Sequence, residues 1–220
     1  DADPVAEYTV QSSDAAKVTG VPGGWVEKSK KRYLGYRTLL EAVAEKHHCT
    51  QGLLGRLNRG KNLSHLRVGD TIRVPHIEKA KVVRARQVEV DLSQKMVRAI
   101  DERNRLVGLF HCSIAAKESK RPKGQTRIVG VTENPSYTFD PAKWPEVKGV
   151  RQKLLIPPGP RNPVGLCWIG LGLPGYGIHG TPNPELIGKT GSHGCFRLSN
   201  WDATRLGRMV RAGTPVKFVG

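Results

Sequence analysis

The sequence predicts a mainly β domain, a mixed sandwich or meander with one C-terminal helix, preceded by a smaller α+β module. Three observations carry this reading. Between Gln87 and Thr132 the apolar positions recur mostly every second residue, the period of a half-buried strand. Between Leu39 and Leu57 they recur at helical spacing instead. Near the end, Ser199 or Asn200 stands ready to cap a helix with Ala203, Leu206 and Val210 on one face.

The 220 residues are 38% hydrophobic and 25% charged, the balance of a soluble globular protein. No apolar run reaches the roughly 18 residues that span a bilayer. The net charge of +17 draws polyanions: nucleic acid, acidic headgroups or an anionic cell wall. The basic residues are spread along the whole chain and accompany no nucleic-acid-binding motif. No specific nucleic-acid partner is expected, and any membrane association is peripheral at most. The chain starts at Asp1 with no hydrophobic leader; because it does not start with Met, a signal peptide is taken as already removed.

Residues 1–31 hold Pro4, Pro22, Gly23, Gly24 and a basic run from Lys28 to Arg32. They read as a tail or linker, with Tyr8 and Val10 suited to a short strand and Trp25-Val26 suited to docking on a neighbour. Residues 32–76 form the module. Leu39, Leu40, Val43 and Ala44 mark one helix; Leu53, Leu54 and Leu57 mark a second with Thr50 as its N-cap. His47, His48 and Cys49 lie between them, but adjacent side chains at a helix end diverge, so no metal site is read there. The module closes on a strand, Thr71-Ile72-Arg73-Val74-Pro75. Leu57-Asn58 before a loop and Gly69-Asp70 before this strand give it a similarity to LysM modules, small βααβ domains. The resemblance implies affinity for glycans containing N-acetylglucosamine. Tyr36-Arg37-Thr38-Leu39 stands where that pattern has Gly-Asp-Thr-Leu, and a module kept for packing is the competing reading.

A basic connector, His76 to Lys81, leads into the larger domain, residues 80–220. Val88, Val90 and Leu92 alternate with polar residues; turns at Ser93–Lys95 and Asp101–Asn104 lead to Met96–Ile100 and Leu106–Ile114. Further strands are expected at Thr126–Thr132 and Leu166–Leu171, with long proline-bearing loops over 133–165 where a substrate groove would be built. The run Gly170-Leu171-Gly172-Leu173-Pro174-Gly175 matches G-x-G-x-x-G, but no helix follows it and no βαβ unit surrounds it, so it is not a dinucleotide fingerprint. Gly213-Thr214-Pro215 ends the C-terminal helix and admits a last strand, Val216–Val219. Of the four cysteines, Cys49, Cys112, Cys167 and Cys195, no two have C-x-x-C spacing, and Cys112 and Cys167 read as buried small hydrophobes.

The chemistry gathers between His179 and Leu198. Here lie His179-Gly180-Thr181-Pro182 and Gly191-Ser192-His193-Gly194-Cys195-Phe196-Arg197-Leu198. A cysteine attacks acyl carbon as thiolate, and an imidazole within hydrogen-bond reach is the usual means of forming one near neutral pH. Gly194 permits a tight turn that would aim main-chain N–H groups at a developing oxyanion. His193 and His179 compete for the role of base. Arg197 either meets a substrate carboxylate or, slightly favoured, braces the loop through carbonyls; Ser192 reads as a turn residue. His179, His193 and Cys195 as three zinc ligands are the minor alternative, since no Asp, Glu or further His stands near to complete the set.

These residues resemble the active-site signature of L,D-transpeptidases, the YkuD-like catalytic domain of bacterial cell-wall enzymes. Arg121-Pro122-Lys123-Gly124 and the proline-rich run from Pro157 to Gly165 resemble family segments upstream of the signature. The resemblance implies Cys195 as nucleophile, His179 as general base and acid with its ring oriented by the Gly180 carbonyl, His193 on the oxyanion loop and Gly194 as a backbone oxyanion donor. Gly180, Ser192 and Arg197 would line the site, and no cofactor or metal is implied. The implied reaction is acyl transfer from a peptidoglycan tetrapeptide stem, with release of D-alanine, to an amine acceptor, giving 3–3 cross-links. Acylation by carbapenems is implied as well. Water as acceptor would make the same site an L,D-carboxypeptidase, and a non-enzymatic cell-wall glycan-binding protein is the alternative from another class. Stem peptides and glycan are the expected partners, and the cell envelope, periplasmic or extracytoplasmic, is the expected location.

Overall fold

The first strand lies inside the segment read as a tail. β1 (Val5–Thr9) is followed by four helices, α1 (Ser12–Ala15), α2 (Trp25–Ser29), α3 (Leu39–Lys46) and α4 (Gln51–Leu57), and then by β2 (Thr71–Pro75). β1 and β2 pair antiparallel, Ala6 against Val74 and Tyr8 against Ile72. In this computed structural model residues 3–78, 81–144 and 147–220 are described. They fall into two units, Asp1–Ala80 with Thr138–Pro157 and Lys81–Tyr137 with Pro158–Gly220. Lys79 and Ala80 of the expected connector lie outside the described residues.

The first unit therefore begins well before residue 32. The reason is physical: β2 alone would leave a row of backbone donors and acceptors unpaired, and Val5–Thr9 supplies the matching strand. Its core is Val10, Val43, Ala44, Cys49, Leu54, Leu63, Ile72 and Val74, with Ala6 and Tyr8 packed on it. Both main helices are capped as their sequences suggest. The Thr38 hydroxyl accepts from Glu41 N–H at 3.1 Å and the Thr50 hydroxyl from Leu53 N–H at 3.2 Å. Asn58, nearly fully buried, ties α4 to β2: its amide nitrogen donates to the carbonyls of Leu54 and Arg73, and its oxygen accepts from Arg73 N–H at 2.8 Å.

The second unit continues with β3 (Gln87–Asp91), β4 (Met96–Ile100), β5 (Leu106–His111) and β6 (Gln125–Glu133). Next in the chain come β7 (Tyr137–Phe139) and β8 (Leu154–Ile156), which pair with each other; their residues from Thr138 to Pro157 belong to the first unit. There Trp25 of α2 stacks on Phe139 with ring centroids 4.1 Å apart. Thus the region 133–165, expected as long loops around a groove, instead contains a small two-stranded sheet. Phe139 and Ile156 are fully buried, so their apolar area outweighs the small number of hydrogen bonds two such strands can make. Pro145 and Glu146 of this region lie outside the described residues.

β9 (Cys167–Leu171), β10 (Gly177–His179), β11 (Phe196–Arg197), α5 (Asn200–Met209) and β12 (Pro215–Val219) complete the second unit. The expected meander is present as β3–β4–β5, antiparallel throughout. The expected alternative of a two-sheet sandwich is not. One eight-stranded sheet runs in the order β11-β10-β9-β6-β12-β3-β4-β5. β12 inserts between β6 and β3, antiparallel to the first and parallel to the second, and so joins the halves. Val88, Val97 and Phe110 from one half and Ile169, Ile178 and Phe196 from the other share a single core with Ala203, Leu206 and Met209 of α5. Burying Leu206 and Met209 contributes about 2 kcal/mol each. Ser199 caps α5, its hydroxyl accepting from Asp202 N–H at 3.2 Å. The G-x-G-x-x-G run forms the end of β9 and the turn into β10, an antiparallel hairpin. Cys112 and Cys167 are fully buried free thiols, each pushed up to about 12 by burial. No helix among the described residues is long and apolar enough to cross a membrane.

Candidate active site

Strand register brings the two halves of the motif together. β10 and β11 are parallel neighbours with Ile178 opposite Phe196 and His179 opposite Arg197. On the other side β10 is antiparallel to β9, with Ile178 opposite Ile169 and His179 opposite Trp168. Ile169, Ile178 and Phe196 all enter the core. Because side chains alternate along a strand, Trp168, His179 and Arg197 share the opposite face. Cys195 lies on the bend directly ahead of β11, two residues from Arg197, and its thiol meets the Gly177 backbone.

His179 is buried, with its Nδ1 2.7 Å from the Gly180 carbonyl oxygen. A carbonyl only accepts, so Nδ1 carries the proton and Nε2 is left as the basic lone pair. Nε2 makes no hydrogen bond to a described residue. Burial is the main reason that the imidazole is pulled down to about 4; the Gly180 carbonyl acts against this and the Arg197 charge with it. Trp168 covers one face of the ring, stacked with centroids 5.5 Å apart and planes at 20°. The same indole lies over Gly177, where a Cβ would come within 2.5 Å of it, so only glycine fits there.

Cys195 is half-buried, its thiol 3.5 Å from the Gly175 carbonyl. Burial pushes this thiol above its usual value, opposed by a backbone hydrogen bond from Gly177 and by the positive charge of Arg197. The resting pair is therefore neutral thiol with neutral imidazole, and proton transfer must accompany attack.

The loop before Cys195 is held by Ser192. Its hydroxyl donates to the Cys195 carbonyl at 2.5 Å and accepts from Gly194 N–H at 3.1 Å. This corrects one expectation. The Gly194 N–H is engaged by Ser192 and is not available as an oxyanion donor, whereas Cys195 N–H donates to no described residue. Nor does Gly194 occupy the left-handed region; a Cβ there would meet only Tyr176, at 3.4 Å. His193 is exposed on the bend between Ser192 and Cys195. Behind the loop, Ser192 exchanges backbone hydrogen bonds with Ile114 and Ala116, and the Arg121 guanidinium donates to the Ala115 carbonyl at 3.1 Å.

Arg197 does not brace the loop through its side chain. Its main chain exchanges hydrogen bonds with Ser113, at 2.9 and 3.0 Å, while its half-buried guanidinium bonds no described residue. No group of three or more His, Cys, Asp or Glu among the described residues is placed to hold a metal ion, so His179, His193 and Cys195 do not form a zinc triad. The cavity lined by Leu92, Arg121, Lys123 and Phe218 includes neither Cys195 nor His179.

Two contributors escaped sequence reasoning. Trp168 had no signal, because its contact with His179 is set by the β9–β10 register. Asn200, fully buried, accepts from Leu166 N–H at 3.1 Å and donates to the Pro160 carbonyl at 3.2 Å. Its side-chain oxygen would stand 2.3 Å from a Cβ at residue 180, so Gly180 is the residue that fits against it. Its position directly after the Ser199 cap was the available clue.

The family model of the L,D-transpeptidase catalytic domain, YkuD, matches residues 85–218. A Bacillus licheniformis protein named "Putative L,D-transpeptidase YkuD" is 31% identical over 179 residues, 81% of this chain and 92% of that protein. The similarly named YqjB of Bacillus subtilis is 30% identical over 118 residues, covering 51% of this chain and 60% of that one. Among solved structures, L,D-transpeptidase 3 from Mycobacterium tuberculosis in complex with a faropenem-derived adduct gives a TM-score of 0.48 at 14% identity, covering 74% of this chain and 78% of that one. The match over residues 85–218 and the relative aligned along most of both chains place the protein: the chain belongs to the L,D-transpeptidase catalytic domain family.

Proposed function

We propose that the protein is a peptidoglycan L,D-transpeptidase acting in the cell envelope, with Cys195 as nucleophile and His179 as base and acid. The observation that carries this is the Nδ1 hydrogen bond to the Gly180 carbonyl, which leaves the neutral His179 with its Nε2 lone pair unengaged on the strand beside the one that Cys195 leads into. Nε2 takes the thiol proton as sulfur attacks the carbonyl carbon of the third residue of a tetrapeptide stem. The oxyanion is met by Cys195 N–H. As the C–N bond breaks, the imidazolium returns its proton to the leaving D-alanine amine, and a thioester remains. An amine of a neighbouring stem then gives a proton to Nε2 and attacks the thioester, and collapse expels the thiolate, which recovers the proton. The product is a 3–3 cross-link; water in place of the amine gives the carboxypeptidase reaction.

The first unit is proposed as a LysM-like glycan-holding module. Supporting this are the β1–β2 pair flanking α3 and α4, and the Gly69-Asp70 turn leading into β2. The net charge of +17 suits a polyanionic wall.

The test is intact-mass measurement after exposure to a carbapenem, together with muropeptide analysis. The wild type should gain one drug mass and form 3–3 cross-links, and Cys195→Ala should do neither. Retention of both by Cys195→Ala sinks the reading.

A further inference from the structure

Arg197 differs from the paired arginines of its unit. Arg98 meets Glu89 at 3.2 Å and Asp91 at 2.9 Å; Arg105 meets Asp101 at 2.7 Å; Arg84 and Arg121 donate to the carbonyls of Val210 and Ala115. The Arg197 guanidinium is half-buried too, yet it has no hydrogen bond or ion pair with any described residue. A guanidinium with five N–H donors is costly to withdraw from water unless an anion meets it. Its main chain is pinned on both sides of the strand, by Ser113 and by pairing with β10, so the side chain is held at a fixed station.

That station is informative. Arg197 is opposite His179 and two residues past Cys195, at most roughly 7 Å along the chain, and its charge acts on both side chains. The planar fork suits a carboxylate, which it grips through two parallel hydrogen bonds. In the donor named above, the residue beyond the scissile carbonyl is the last of the stem and ends in a free α-carboxylate. One residue spans about 3.8 Å between Cα atoms, which places that carboxylate within a long side chain's reach of a carbonyl carbon at Cys195.

We propose that Arg197 is a specificity-determining residue that binds the free α-carboxylate of the leaving terminal residue, so that the enzyme cuts stems at their ends and not within longer peptides. This rests on the acyl-transfer reading of the Cys195 site. It differs from a role in lowering the thiol's proton affinity, which would act on every acyl donor alike.

The experiment uses the full chain and two synthetic tetrapeptide stems, one with a terminal D-alanine acid and one with the D-alanine amide. Release of the terminal residue is followed with kcat and KM resolved for wild type, Arg197→Ala and Arg197→Lys. The wild type should prefer the acid by about 10- to 100-fold in kcat/KM, the worth of a charge-assisted hydrogen-bonded pair. Arg197→Ala should bring the acid-to-amide ratio close to one, and Arg197→Lys should restore part of it. An unchanged ratio in Arg197→Ala, or equal loss on both substrates with the preference intact, overturns the proposal while leaving Cys195 as nucleophile. A wild type that cleaves neither peptide yet is acylated by a carbapenem overturns it too, through the donor. Failure of both reactions removes the acyl-transfer reading itself.

Discussion

Two clusters of ionisable groups in this chain obey opposite rules. In the first unit, Tyr8, Asp14 and Lys46 satisfy one another. The Tyr8 hydroxyl donates to Asp14, and the Lys46 ammonium lies 2.9 Å from Asp14 and 2.6 Å from the Tyr8 oxygen. Burial pushes the Asp14 carboxyl up, but the Tyr8 hydroxyl, the Gln11 N–H and Lys46 together hold it below the usual carboxylate range. In the second unit, His179 and Arg197 share a sheet face with Cys195 on the bend beside it, and the three do not close on one another. The Cys195 thiol leans on a carbonyl, the His179 Nε2 is unengaged and the Arg197 guanidinium bonds no described residue. The first arrangement joins β1, α1 and α3 and has no capacity left over. The second keeps proton-accepting, nucleophilic and anion-binding capacity in reserve, which is what separates a reactive site from a structural one.

The contrast is broken most severely at His179. His179→Gln should lower carbapenem acylation of Cys195 by about 10²- to 10⁴-fold, the contribution of a positioned base. A second readout follows from linkage. With its value held at about 4 in the fold against 6.5 ordinarily, the imidazole binds protons more readily when unfolded. Wild-type stability is therefore intact above pH 6.5 and is lost as pH falls toward 4, by about 3 kcal/mol. Urea midpoints taken across that range should fall less steeply in His179→Gln; parallel curves would show that the ring is not held neutral.

Ser192→Ala comes next. It frees Gly194 N–H and removes the restraint on the Cys195 carbonyl, so the acylation rate should drop by about tenfold, with a stability loss of about 1 kcal/mol. A stability loss at unchanged rate would mean that the loop needs no such restraint. Asp14→Asn should have the smallest consequence for chemistry. It should destabilise the first unit by about 1–2 kcal/mol in thermal or urea melts, discounted because Lys46 is partly exposed, while acylation of Cys195 stays within about twofold of wild type. A large fall in acylation would contradict the division between the two clusters.

Much of this organisation could be read from local pattern, and the remainder depends on pairing. The β3–β4–β5 meander was visible because Val88, Val90 and Val97 alternate with polar residues. The site was visible because His179 and Cys195 each sit in a short run that allows few other interpretations. β12 was expected as a strand, but alternation in Val216–Val219 is the same whether the strand lies at an edge or between β3 and β6. Tyr137–Phe139 and Leu154–Ile156 are too short to show any period. The Gly194 N–H bond to Ser192 depends on a side-chain rotamer, on which spacing is silent.

The two-stranded sheet of β7 and β8 has an evolutionary corollary. Homology draws the family domain as a continuous stretch, yet Phe139, which lies within it, stacks on Trp25, which lies outside it. A recombination event that inherited residues 85–218 alone would take that buried aromatic away from its indole partner. Phe139 and Trp25 belong to the same unit, so the limits of the family domain and the limits of that packing do not coincide.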